Sequence, residues 1–478
     1  MTRYEQLAQE IKTQIESGVW RAGDKLPSVR ATCKTSGFSI STVMQSYQLL
    51  ESQGWVTARP QSGYYVSSRK ISLSKPEPIL PSTRESVNQS DNVNINDLLF
   101  DVIQQTRDND IVPLSSAFPD PELFPFQVLT RNLASSGRKM LPQSTVTNLP
   151  PGNDALRRCI AQRYNLEGIH VVPDDIVVTS GAMEALNLSL QVLTKPGDLV
   201  AVESPTFYGA LQAIERLQLK VVEIPSCPKF GINLELFEEA LSTLPIKACW
   251  FMTSFQNPIG HSLPPEKKRQ LIGMLAMHDV PLIEDDVYSE LYFDQTKPLP
   301  AKHFDSEHRV LHCGSFSKCL APGYRVGWVA NRQYAKDLQR AQLMSTLSAS
   351  IPTQMGIAEY LQSGGYDTHL RKLRRTLQQR QNAFLKGLKD WLPSEIKVTE
   401  PKGGYFIWLE LPARVKAQEV YLKALQQKIG IAPGTLFSSD QHFCHHIRLN
   451  CSFDWDETTR DAIKTLSSIL SDMLRENR

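Results

Sequence analysis

What the chain lacks narrows its class first. No apolar run approaches the roughly 20 residues that a helix needs to cross a bilayer. The first residues are polar with a helical rhythm, unlike a secretion signal. Its eight cysteines never form a Cys-x-x-Cys pair, which argues against a zinc ribbon or a disulfide framework and fits a reducing compartment. The cluster His442, Cys444, His445 and His446 matches no common zinc spacing. These absences lead us to expect a cytoplasmic protein with no membrane segment and no metal centre. A dominant sign of charge is also missing, since 52 Lys and Arg stand against 50 Asp and Glu.

That balance conceals an asymmetry. Residues 1–75 hold ten Lys and Arg against five Asp and Glu, leaving 42 against 45 in the rest. A small basic module, suited to a polyanion, therefore precedes a larger, nearly neutral body. The length of 478 residues agrees with about two to four domains.

In the module, Leu7, Ala8, Ile11 and Ile15 recur at helical spacing up to a stop near Gly18. Gly23 to Ser28 then turns the chain, a short helix is expected through Lys34, Gly37 breaks it, and Ser39-Ile40-Ser41-Thr42 opens another. This last helix should turn Val43, Tyr47 and Leu50 inward and present Ser41, Thr42, Gln45 and Ser46 as a polar face near its amino end, where a major groove could accept it. Residues 54–59 and 63–66 alternate like two strands joined by Pro60-Gln61-Ser62. A hairpin behind a recognition helix is a wing. Asp24-Lys25-Leu26-Pro27-Ser28-Val29-Arg30, Thr42-Val43, Tyr47, Leu50-Glu51, Gly54 and Gly63 together resemble the winged helix of GntR-type bacterial repressors. That resemblance implies that Arg30, Ser41, Thr42 and Arg59 touch double-stranded DNA, mostly at phosphates.

Residues 71–111 read as a linker, rich in Ser, Asn and Gln with Pro76, Pro78 and Pro81. A helical stripe, Ile95, Leu98, Leu99 and Val102, predicts that it ends in a short docking helix.

Beyond it, short buried strands are expected at 176–179, 199–203, 248–253 and 281–285, alternating with helices, which calls for a mainly parallel sheet covered on both faces. Ligands of such sheets sit at the carboxyl ends of the strands. The residues found there form a set: Ser180-Gly181-Ala182 opening a helix, Phe207-Tyr208, Asn257-Pro258, and Asp285 with Tyr288 three places on. A loop of small residues then carries Ser315, Ser317, Lys318 and Arg325, which is anion-binding chemistry placed around an amine.

Taken together, these groups resemble fold-type I pyridoxal-phosphate enzymes of the class I and II aminotransferase group, over roughly residues 112–470. The resemblance implies an α/β domain over 112–478 with a mainly parallel sheet and a smaller carboxy-terminal α+β subdomain, holding pyridoxal 5′-phosphate on Lys318 as a Schiff base. It further implies Asp285 at the pyridine nitrogen, Asn257 and Tyr288 at the ring hydroxyl, and Phe207, or Tyr208 beside it, stacked on the ring. Ser180, Gly181, Ala182, Ser315, Ser317 and Arg325 would hold the phosphate, and Arg448 would grip an effector's α-carboxylate. In one departure, Asn148 stands where the family places a tyrosine that reaches the partner's phosphate.

A winged helix-turn-helix (1–70) fused to such a body is similar to the MocR-like subfamily of GntR regulators. What this implies is a homodimeric transcription factor that senses an amino acid or amine through a new imine formed when the effector displaces Lys318. The alternative is an active aminotransferase carrying an accessory DNA-binding domain.

Overall fold

The computed structural model describes residues 2–17, 19–21, 23–59, 62–67, 87–90, 96–105, 107–145, 148–440 and 442–476. Its internal contacts separate two compact units, Met1–Lys75 and Pro76–Arg478.

The first unit has helices Arg3–Glu16, Val29–Ser36 and Ile40–Ser52, then strands Val56–Arg59 and Gly63–Val66 paired antiparallel with Val56 opposite Val66 and Arg59 opposite Gly63. Side chains set the helix starts: Ser28 accepts from the Ala31 amide and Ser39 from the Thr42 amide. Gly37 ends the second helix at φ 72°, a left-handed conformation that favours glycine. That helix therefore runs two residues past the expected Lys34. The helical stripe and both strands meet in one core of Leu7, Ala8, Ile11, Leu26, Val43, Tyr47, Leu50, Val56 and Val66. One expectation is overturned. Ser46 is buried, not part of a polar face, and its hydroxyl contacts the carbonyls of Thr42 and Tyr4, tying the third helix to the first. Pro60 and Gln61, expected in the hairpin turn, lie outside the described residues.

Among the described residues, the second unit is built on a nine-stranded sheet. Its six parallel strands are Ile176–Thr179, Leu199–Ser204, Lys220–Cys227, Ile246–Phe251, Leu282–Asp285 and Val310–Ser315, with Gly327–Ala330 inserted antiparallel between the last and the first. Successive side chains on a strand face opposite ways, and here each face meets its own core. Val200, Val202, Trp250, Ile283 and Leu311 pack on one side, and Leu199, Ala201, Cys249, Phe251 and Leu282 on the other. Strands apolar on both faces are what a helix-covered parallel sheet requires. The strand expected at 248–253 is displaced to Ile246–Phe251, which leaves Met252 and Thr253 in the loop that leads to Asn257. A smaller antiparallel sheet orders Lys397–Val398, Phe406–Glu410, His446–Asn450 and Ala432–Pro433.

The segment read as a linker is in part body. Asn88–Ser90 pairs antiparallel with the edge strand Lys220–Cys227, and helix Asn96–Gln105 buries Leu99 and Val102 in the core. Residues 68–86 and 91–95, Ile95 among them, lie outside the described residues.

In the first unit, Tyr47 is buried with its hydroxyl 2.8 Å from the Pro27 carbonyl and 2.7 Å from the Thr32 hydroxyl. Tyr47→Phe is expected to cost about 1 kcal/mol, read as faster hydrogen exchange confined to peptides from residues 3–66.

Candidate cofactor and effector site

Strand Val310–Ser315 ends in the loop that carries Lys318, and the loop returns through a short turn, Pro322–Tyr324, to strand Gly327–Ala330. Ser315 is committed to that turn: its hydroxyl accepts from the Ser317 amide at 2.9 Å and donates to the Val326 carbonyl at 3.4 Å. The Ser317 hydroxyl, buried beside it, has no partner among the described residues. Lys318 donates from Nζ to the Ala117 carbonyl at 2.8 Å and lies 4.1 Å from the centre of the Phe118 ring. Burial first, then the Arg448 and Arg325 charges, push this amine down to about 7, while Asp285 pulls the other way.

Close backbone approach explains the glycine at the neighbouring turn. Gly181 has φ 91°, and a Cβ there would fall 2.5 Å from Arg325 Nη2. Arg325 Nη2 donates to the Ser180 carbonyl at 3.2 Å. Helix Ala182–Leu193 begins at this turn, so its free amides and the guanidinium gather at one place.

Across the strand ends, Asp285 is buried with Oδ1 unpaired. Burial, with the Asp286 charge behind it, raises its carboxyl to about 7. Asn257 is fully buried; its Oδ1 accepts from Arg448 Nη1 at 3.1 Å, which leaves Nδ2 unpaired. Tyr288 is buried, and burial lifts its phenol above the ordinary range. Phe207 and Tyr208 lie with ring centres 4.7 Å apart, both half-buried.

Arg448 is almost wholly buried, an expensive place for a cation. Its position on strand His446–Asn450 brings Nη2 to the Ser115 carbonyl, and its guanidinium carbon lies 4.3 Å from the Phe406 ring centre and 5.1 Å from that of Phe437. Nε has no partner.

Buried polar atoms in folded proteins are nearly always paired. Among the described residues, Asn257 Nδ2, Asp285 Oδ1 and Ser317 Oγ are buried and unpaired, close in the fold to a desolvated lysine and to the Gly181 turn where Arg325 meets a helix start. A planar ring with a hydroxyl, a basic nitrogen and a phosphate offers a partner to each, so the residues present fit pyridoxal phosphate.

Several participants carry no signal in the sequence. The strap Ser115–Phe118 supplies carbonyls to Arg448, Lys318, Tyr405 and Asn450. Glu203, buried and pushed up to about 8 by its burial, lies within electrostatic reach of Asp285. The pairing of Arg448 and Asn450 on one face of a strand was a readable hint. Asn148 donates to the Ser348 hydroxyl at 3.1 Å and to the Ala349 carbonyl at 2.9 Å of its own chain.

In the amino-terminal unit, Ser41 is exposed and Thr42 half-buried, and both hydroxyls lie 2.9 Å from the Ser39 cap hydroxyl. Arg30 is exposed, and Arg59 lies with its guanidinium carbon 4.3 Å from the Tyr65 ring centre, a ring that Lys25 also approaches at 5.8 Å. Wing and preceding loop thus share a small basic cluster.

Known proteins match both units. Residues 110–466 match the aminotransferase class I and II family, and residues 3–66 match the gntR family of bacterial regulatory proteins. An uncharacterized HTH-type transcriptional regulator, YdcR of Escherichia coli K12, is 50% identical over 99% of this chain and 100% of its own length. The fold is similar to that of a multiple substrate aminotransferase from Thermococcus profundus, with TM-score 0.75 and 26% identity over 80% of this chain and 96% of that one. LysN, an α-aminoadipate aminotransferase of Thermus thermophilus solved with N-(5′-phosphopyridoxyl)-L-leucine, gives TM-score 0.73 and 27% identity over 78% of this chain and 95% of that one. With a gntR-type reader ahead of an aminotransferase fold over nearly its whole length, the chain belongs to the class I and II aminotransferase family in its MocR-like regulator form.

Proposed function

We propose that this protein is a transcriptional regulator that reads double-stranded DNA through residues 3–66 and senses an amino acid or amine at Lys318, using pyridoxal 5′-phosphate. The observation that carries the reading is the set of unpaired buried atoms, Asn257 Nδ2, Asp285 Oδ1 and Ser317 Oγ, beside a desolvated lysine in a chain whose other end is a DNA reader. When bound, the cofactor supplies an aldehyde that a primary amine can capture and a ring that draws electrons.

The chain's own residues do the rest. Lys318 would hold the cofactor's aldehyde carbon and could be replaced there by an incoming primary amine. Asp285 would hold a proton at the ring nitrogen, Asn257 and Tyr288 would donate to the ring oxygen, and Phe207 or Tyr208 would stack on the ring. Ser180, Gly181, Ala182, Ser317 and Arg325 receive the phosphate, with Ser315 shaping the turn. Arg448 grips the α-carboxylate in a bidentate pair, and its bond to Asn257 couples effector recognition to the ring oxygen. Release of Lys318 is the differential contact that biases the DNA-binding units.

In the resembling family the site is completed by two subunits, and a homodimer in the cytoplasm suits this chain. Arg325 is exposed, as are Leu149, Leu343, Met344 and Leu347, apolar surface that a second copy would cover. A twofold dimer presents two readers to paired half-sites. Arg30, Ser41, Thr42 and Arg59 are the proposed DNA contacts. One feature favours the enzymatic alternative: burial pushes the Lys318 amine down to about 7, so that once displaced it is fit to move protons.

The deciding measurement is visible absorbance of the cofactor-loaded protein during titration with amino acids and amines, with DNA affinity followed in parallel. A band that shifts with one ligand and changes DNA affinity, both lost in Lys318→Ala, is expected; bleaching with keto-acid release would make the protein an enzyme first. Arg448→Ala should weaken the response to α-amino acids by about tenfold to a hundredfold, leaving the response to amines without a carboxylate nearly unchanged. Arg59→Ala should weaken binding to all DNA sequences alike and reduce the salt dependence by about one phosphate contact, measured as affinity against salt concentration.

A further inference from the structure

A hydrogen-bonded chain runs behind the ring-nitrogen carboxylate. Trp328 Nε1 donates to the Tyr164 hydroxyl at 2.9 Å, that hydroxyl lies 2.6 Å from His312 Nδ1, and His312 Nε2 lies 3.1 Å from Asp286 Oδ2. Tyr164, His312 and Asp286 are each more than nine-tenths buried. They line a cavity of about 50 Å³ that reaches Ser315 and Phe316 in the Lys318 loop.

The polarity of this chain follows from its first member. An indole N–H can only donate, so the Tyr164 oxygen accepts. Among the described residues, the acceptor its own proton reaches is His312 Nδ1. A hydrogen bond accepted at Nδ1 places the hydrogen of the neutral imidazole on Nε2, directed at Asp286. The chain therefore ends on an ionised carboxylate. Burial works to raise Asp286, but the His312 hydrogen bond, with Lys297 and Ser289, keeps it below the ordinary range. Lys297 adds little net charge because Glu167 at 2.7 Å and Glu290 at 3.2 Å hold it. The Asp286 amide donates to the Cys313 carbonyl at 3.0 Å, locking its backbone to the strand that carries His312.

Asp286 follows Asp285 in the chain, and its charge acts on the Asp285 carboxyl. We propose that Trp328, Tyr164, His312 and Asp286 form a one-way relay that fixes a negative charge behind Asp285 and so sets where the proton shared with the cofactor's ring nitrogen resides. Tyr164 and His312 are positioning residues, acting through Asp286. The inference rests on the cofactor and not on the sensing role, so its test involves neither effector nor DNA.

Negative charge behind the site favours the protonated form of the cofactor held at Lys318, so losing it lowers the pH at which the visible band changes. Other charged or titratable groups facing the pair are Lys318, Glu203, Tyr288 and Cys313 toward Asp285, Lys297 and Lys268 toward Asp286, and Arg448 and Arg325 toward Lys318; none of them is substituted in the variants below. Full-length protein loaded with pyridoxal 5′-phosphate would be titrated by absorbance. Asp286→Asn is expected to lower the midpoint by about one pH unit. His312→Phe, which strips the carboxylate of its donor and lets it take up a proton, should move the midpoint in the same direction, and the double variant no further than Asp286→Asn alone. Melting temperature and cofactor retention are read alongside. A wild-type midpoint in a folded, cofactor-retaining Asp286→Asn protein overturns the proposal. So does a His312→Phe protein that melts earlier with its midpoint unmoved, and that variant decides the matter should Asp286→Asn not fold.

Discussion

Desolvated charge is the constraint on which this structure turns. Lys318, Asp285 and Arg448 are brought out of water into one region, and each is pushed from its ordinary protonation behaviour by that burial. A lone buried ion costs several kcal/mol after relaxation, so the body must offset it with neighbours. The offset is incomplete: Arg448 keeps Nε free, Asp285 keeps Oδ1 free and Asn257 keeps Nδ2 free. An unfinished electrostatic arrangement is what makes a rigid scaffold receptive, because a ligand of complementary charge restores what burial took away.

The scaffold can hold such a site because its parallel strands end together. Strand ends at Thr179, Ser204, Phe251, Asp285 and Ser315 lie along one edge of the sheet, so each following loop delivers one group to the same opening. The antiparallel insertion of Gly327–Ala330 returns Arg325 to the Gly181 turn. Without that return, an exposed arginine ten residues beyond the end of strand Val310–Ser315 would have no fixed relation to the helix start.

Much of this was legible in the sequence because it rests on local rules. Two-faced apolar strands, glycines at forced conformations, and caps at Ser28 and Ser39 follow from short-range physics. What was not legible depended on distance in the chain. Ser46 looks like surface on a helical wheel, and only the packing of the first helix over it reveals that it is buried. Ser315 and Ser317 are chemically identical two residues apart, and the turn alone decides which hydroxyl is spent on the backbone. The strap at Ser115–Phe118 contributes mainly carbonyls, which every residue type possesses, so no side-chain pattern could mark it. His312 carries no mark of its partners in the sequence, because Tyr164 and Asp286 are brought beside it only by the fold.

Residues Asn88–Ser90, paired with the outer strand Lys220–Cys227, have a bearing on how the body can be handled in isolation. An uncovered sheet edge is a template for pairing with other molecules. Cutting the chain at 112, where the aminotransferase-like pattern begins, would bare that edge and empty the seats of Leu99 and Val102. A fragment so trimmed invites self-association through strand addition, whereas one begun before Asn88 carries its own edge cover.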